Sequence, residues 1–316
     1  METGIFTQTL CLLLKAPATL DRIAQILAEY EISGRNDTSE SWEFSGPALI
    51  IAHRPEVDGY VVVDLVDQPW PDDMGYEDQK SLLFGAWKSG QFGPFTFPAS
   101  LERATEQSWG WPEGKTEVAQ HKCFVRIRSS YVLGKTEDND EWLPEDYDPV
   151  DELEFMTGIA EELLKLPEVL CFFNPNGEVL RDRATFEESV KVCGEHEIPT
   201  VDLWTNVRLF RFDEEWAMMD TVGNSQLGFS DIEACFYTEA HDYNNVDQLL
   251  RMVTMYLVGG EEFESGETIE DEEGMSWQMS FHEDSLCDPP RDVLRLLPAD
   301  GHPVPDAILS NDAGPE

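Results

Sequence analysis

Sixty-four aspartates and glutamates face only 21 lysines and arginines, a formal net charge of −43. A chain so unbalanced folds only if apolar burial outweighs the repulsion among its own carboxylates. It has the material for this, because 41% of its 316 residues are hydrophobic and 11% are aromatic, and the charge therefore does not imply wholesale disorder. The same imbalance excludes partners that must be met by cations. Nucleic acid requires Lys or Arg to replace phosphate counterions, an anionic membrane surface requires a basic cluster, and no segment supplies either. No window has the length of a membrane span, and the short apolar run at 10–14 follows no positively charged segment. These features predict a cytoplasmic protein. Six widely spaced cysteines, several inside apolar runs such as Leu10-Cys11-Leu12 and Ala234-Cys235-Phe236, read as buried structural thiols in a reducing compartment.

Hydrophobic periodicity sets the fold class. Residues 6–15 form an apolar run suited to a strand buried on both faces. Thr19 then caps a helix whose Leu20, Ile23, Ala24 and Leu27 share one face. Strands over 48–52 and 60–66 flank a connection containing Pro55 and Asp58-Gly59. The pattern restarts at Cys123, where Cys, Val and Ile alternate with Phe, Arg and Arg, predicting a strand with one wetter face. A helix over 151–166 and a strand over 169–173 follow. A third round has a hairpin over 207–219, a strand over 231–237, a helix over 246–258 capped by Asn244 or Asn245, and a strand over 275–281. The expected architecture is α+β: mostly antiparallel sheets with helices packed on one face, in repeated strand-helix-strand units. The expected regions are 1–120, including an aromatic-rich excursion over 67–120, then 121–286, then a Pro-rich tail over 287–316.

Candidate chemistry is sparse. The spacing of His121-Lys122-Cys123 and of Cys193 with His196 gives half a tetrahedral site at most, so no metal is expected. The acidic stretch Glu137 to Asp148 lacks the glycine and the alternation of a calcium loop. Ser225 misses a Gly-x-Ser-x-Gly elbow by one residue, and no phosphate-cradling glycine motif occurs, so no cofactor is expected. Asp231 and Glu233 sit two apart on one strand face and, with His121 or His241, form the weak catalytic candidates, because paired carboxylates do acid-base work when one is desolvated. Trp109, Trp111 and Arg103 are the weak ligand-binding candidates: flat apolar walls beside a polar group. The alternative is an excursion pinned to the core by its own aromatics.

One stretch resembles a known family. Met219-Asp220-Thr221-Val222-Gly223, Leu227-Gly228-Phe229-Ser230-Asp231-Ile232-Glu233, the helix ending in Tyr256-Leu257, and Gly266-Glu267-Thr268-Ile269 are similar, in order, to bacterial proteins with domain of unknown function 4261. The resemblance covers about residues 205–282. It implies no activity and no catalytic residues, since the family has none established. The sequence therefore points first to a non-enzymatic module that binds a protein with a basic face, an immunity-like neutraliser of a basic effector being one form. A hydrolase using the carboxylate and histidine candidates is the alternative. A third reading, favoured by 8 lysines against 13 arginines, is that the acidity is adaptation to salt.

Overall fold

The computed structural model describes residues 4–75, 81–133 and 143–310. The chain divides into two compact units, Met1–Trp204 and Thr205–Glu316. Among the described residues the architecture is α+β, with two sheets that are mostly antiparallel. Of the acidic stretch 137–148, residues 137–142 lie outside the described residues.

In the first unit the elements run β1 (Gln8–Leu14), α1 (Leu20–Ile26), β2 (Ile32–Asn36), β3 (Ala48–Arg54), β4 (Gly59–Val66), α2 (Leu82–Lys88), α3 (Ser100–Glu106), α4 (Gly114–Val118), β5 (Cys123–Ser130), α5 (Pro149–Leu163), β6 (Val169–Asn174), β7 (Val179–Arg181) and α6 (Arg183–His196). The seven strands pair in the order β2-β3-β4-β5-β1-β6-β7. Side-chain caps start α1 and α5, at Thr19 as the sequence predicts and at Asp148, which sets the start of α5 two residues before the expected 151. The Thr19 hydroxyl accepts from the Arg22 amide, and Asp148 accepts from the Val150 and Asp151 amides ahead of Pro149. All seven residues of β1 are buried, as a strand covered on both faces requires.

β5 pairs with β1 on one side and β4 on the other, so it lies in the middle of the first sheet. The expected boundary after residue 120 would cut through this sheet, and the division falls instead at 204/205. All eight residues of β5 are buried, which also corrects the expectation of a wetter face. Helix α5 packs on one side of β1 and β5. The opposite side is covered by the aromatic excursion, whose Trp70 meets Phe92, Phe124 and Phe173 edge-on at centroid distances of 5.5, 5.4 and 5.1 Å. Ala86 of α2, Leu101 of α3 and Val118 of α4 join the same core.

Beneath the excursion lies the reason β5 has no wet face. Asp64 on β4 and Arg126 and Arg128 on β5 have fully buried side chains. Asp64 Oδ2 accepts from Arg126 Nη2 at 2.7 Å and Oδ1 from Arg128 Nη2 at 3.0 Å, and the Gly46 amide donates to the same carboxylate. One carboxylate serves two guanidiniums, and the carbonyls of Trp42, Glu43, Phe44 and Gln91 accept further guanidinium protons, while Arg128 Nε is left without a hydrogen-bond partner among the described residues. Burial alone would raise the Asp64 pKa, but the two arginines hold it below the ordinary aspartate value.

The second unit contains β8 (Asn206–Arg211), β9 (Trp216–Val222), β10 (Asp231–Tyr237), α7 (Tyr243–Val258), β11 (Thr268–Glu270), β12 (Ser276–His282), β13 (Val293–Pro298) and α8 (Asp306–Ser310). Its sheet order is β11-β12-β13-β10-β9-β8, with β13 parallel to β10 and the other pairs antiparallel. β13 lies inside the sheet, between β10 and β12, so the expected Pro-rich tail over 287–316 contains a buried strand. Val-Leu-Arg-Leu-Leu supplies the apolar alternation that the flanking prolines obscure. Asp242 rather than Asn244 caps α7, because its carboxylate accepts from the Asn244 amide. Val246, Leu249, Leu250 and Val253 of α7 then cover one face of the sheet with Ile232, Ala234 and Phe236 of β10.

Substituting Asp64→Asn leaves two buried guanidiniums without an anion. We expect a loss of about 3–5 kcal/mol in urea unfolding, and a loss below about 1 kcal/mol would remove the ionic account of this face.

Candidate functional site: a buried ionic network

Alternation along β10 sends Ile232, Ala234 and Phe236 toward α7, and Asp231, Glu233 and Cys235 to the opposite face. On that face they meet Asp220 of β9, Arg208 of β8, Arg295 of β13, and Arg291 and Cys287 from the segment before β13. Three carboxylates and three guanidiniums are all at most 6% exposed by side chain.

Asp220 is the hub. Its Oδ2 accepts from Arg208 Nη2 at 2.7 Å, Arg291 Nη2 at 2.5 Å and the Cys287 thiol at 2.9 Å, while Oδ1 accepts from Arg208 Nε at 3.0 Å. Glu233 Oε2 accepts from Arg295 Nε and Nη2 at 3.1 and 3.0 Å, and its Oε1 accepts from the Leu286 amide at 2.7 Å. Asp231 Oδ1 accepts from the Thr221 hydroxyl and the Asn224 amide, and Oδ2 forms an ion pair with Arg291 Nε at 3.2 Å that lacks hydrogen-bond alignment. Carbonyls of the covering segment complete the set: Arg208 donates to Asp288 O and Arg291 to Cys287 O and Pro289 O. The network thus ties residues 286–291 across the sheet.

Burial pushes the three carboxylates up, and their neighbours decide the outcome. Arg208 and Arg291 overcome burial at Asp220 and hold its pKa below the ordinary aspartate value. At Asp231 burial prevails over Arg291, and at Glu233 it prevails over Arg295 and Arg291, so both carboxyls are raised. Burial and the adjacent Asp220 also push the Cys287 thiol up. A thiol so placed is a poor nucleophile, because reactivity follows the thiolate.

Asp220, Glu233 and Cys287 bring two carboxylate oxygens and a sulfur within 4.8 Å of one another, the one such grouping among the described residues. The donor set does not fit a divalent cation. The Asp220 oxygen already accepts from two guanidiniums, three arginines surround the space, and equal numbers of anions and cations leave no charge for a metal to neutralise.

Of the sequence candidates, only Asp231 and Glu233 come together here. His241 approaches Asp300 Oδ2 at 3.0 Å and packs its ring on Phe236 and Trp277, on the α7 side of the sheet. His121 belongs to the first unit, where its Nε2 accepts from the Trp70 amide and its Nδ1 meets Val118 O, so backbone partners occupy both ring nitrogens. A hydrolase centre joining His241 to the two carboxylates would have to act through the sheet. The ligand-binding candidates each have partners of their own. Arg103 pairs with Glu178 and donates to Pro98 O, Trp111 packs on the first core, and Trp109 is 66% exposed with its indole N–H bonded to Gln107. Sequence reasoning missed Arg208, Asp220, Arg291, Arg295 and Cys287. The available signal was a charge set within an apolar strand, as in Met219-Asp220 or Leu294-Arg295-Leu296.

Residues 220–297 match the model of the family described as Domain of unknown function (DUF4261). The match begins at the hub, Asp220, and ends within β13. It contains every charged member of the network except Arg208, and it runs past the expected limit of 282 into β13. No curated protein and no solved structure matches the chain.

Asp220 and Asp231 should respond oppositely to pH. A depressed folded-state pKa gives Asp220 a contribution present above the ordinary value of about 3.9 and lost as pH falls through the lower folded value. A raised one gives Asp231 a contribution fully present below about 3.9 and lost as pH rises through the higher folded value. In urea unfolding the penalty of Asp220→Asn should grow with pH across the acid range and reach about 3 kcal/mol or more. That of Asp231→Asn should shrink across the same range. Parallel curves would contradict these assignments.

Proposed function

We propose that this chain is a non-enzymatic cytoplasmic protein that binds a partner presenting a basic face, as an immunity-like protein neutralises a basic effector. The observation that carries this reading is the allocation of charge in the C-terminal unit. Three of its five cations, Arg208, Arg291 and Arg295, are consumed internally against three carboxylates. Outside the network, residues 205–316 hold 22 aspartates and glutamates against two arginines, Arg211 and Arg251, and Arg251 is paired with Asp247. Such an exterior speeds encounter with a cationic surface and rejects acidic ones. The carboxylates that would serve a hydrolase are engaged with arginines and closed off from solvent, which favours the binding reading over the enzyme.

The test is affinity capture from native lysate at low salt, followed by reconstitution of the captured protein with the purified chain. We expect a basic partner whose Kd weakens by roughly tenfold or more between low and high salt. Binding indifferent to salt would overturn the reading. Failure to recover any partner, with an unfolding midpoint that climbs steeply in KCl, would assign the acidity to a saline solvent instead.

A further inference from the structure

The C-terminal end of α7 borders a groove of about 460 Å³, within the size range of sites that hold a side chain or small ligand. Its apolar walls include Phe229, which precedes β10, Leu257 near the end of α7, Phe263 after it, and Phe281 at the end of β12. Phe281 pairs with Leu294 of β13 and is nonetheless 49% exposed. An aromatic ring held by a strand yet left half in water is an unfilled apolar surface.

The polar rim has one sign. Glu261 and Glu262 line the groove and are exposed, and among the described residues no basic one lines it. The 16-residue α7 ends here with no basic residue in its last turn, so the negative end of its dipole adds to the two carboxylates with no cation of that turn to offset it. Apolar walls beside uncompensated negative charge are complementary to an amphipathic cation.

We propose that this groove receives a segment of the basic partner in which a large apolar side chain adjoins Lys or Arg. The apolar group would sit among Phe229, Phe263 and Phe281, and the cation would meet Glu261, Glu262 and the helix end. This inference rests on the basic-partner reading and adds to it where the contact is made and what the contacting segment contains.

Labelled synthetic peptides and the full chain test it by fluorescence anisotropy at low salt. One peptide is Lys and Ala with a central Phe, the second has Ala in place of that Phe, and the third has Glu in place of each Lys. Burial of one aromatic side chain should make the first bind roughly ten- to a hundredfold tighter than the second. The third should not bind. Phe281→Ser should abolish the preference for Phe, with an unchanged unfolding midpoint confirming an intact fold. Glu261→Gln with Glu262→Gln should weaken both lysine peptides. Equal binding of the two lysine peptides, or a Phe preference that survives Phe281→Ser, would overturn the groove. So would wild-type affinity of the captured basic partner for the Phe281→Ser variant, and in that case the basic-partner reading would stand. Self-association abolished by Phe281→Ser would make a second copy of the chain the occupant and overturn the proposal.

Discussion

Both sheets depend on arginines buried against carboxylates. A guanidinium moved from water into a protein interior loses several kcal/mol of solvation, and only close anions and carbonyls restore it. In the first unit Arg126 and Arg128 share Asp64, and backbone carbonyls of the 42–44 loop and of Gln91 accept further protons. In the second, Arg208, Arg291 and Arg295 meet Asp220, Asp231 and Glu233 with no charge left over. In each case the covering chain is held by directed bonds as well as by apolar contact. That matters for a face where an apolar seal alone would leave strand-borne charges unpaired.

This interior arrangement has an exterior consequence. A protein with few cations that commits several of them to its core leaves a surface dominated by carboxylates. The effect is sharpest in the unit containing the DUF4261 match, where β8, β13 and the segment before β13 each contribute an arginine to the network. The acidity of the exterior and the stability of the sheet are therefore linked through the same residues. The groove at the end of α7 lies on the other side of this sheet, with Phe281 and Leu294 on the face that α7 covers. Among the described residues no arginine lines it beside its carboxylates, whereas those of the network meet arginines.

Much of the fold was legible locally. The strands at 48–54, 59–66 and 231–237 and the helices after Thr19 and Asp148 follow from alternation, helical spacing and capping chemistry, all of which act within a few residues. The candidate site was legible only in part. Alternation placed Asp231 and Glu233 on one face without showing what covers it, and it read the face of Arg126 and Arg128 as wetter. Prolines around Val293-Leu294-Arg295 hid the strand whose arginine completes the Glu233 pair.

The sequence by itself determined many of the elements, the α+β class, the family resemblance and the acidic character of the chain, because each depends on composition or on near neighbours. Only the tertiary structure decided which faces are interior, that β5 and β13 sit within their sheets, and that His241 lies on the face of its sheet opposite the carboxylates of β10. The physical reason is range. A period of two assigns side chains to a common face, but burial is conferred by whatever covers that face. For Glu233 the cover includes Leu286, whose amide donates to it across 53 residues of chain.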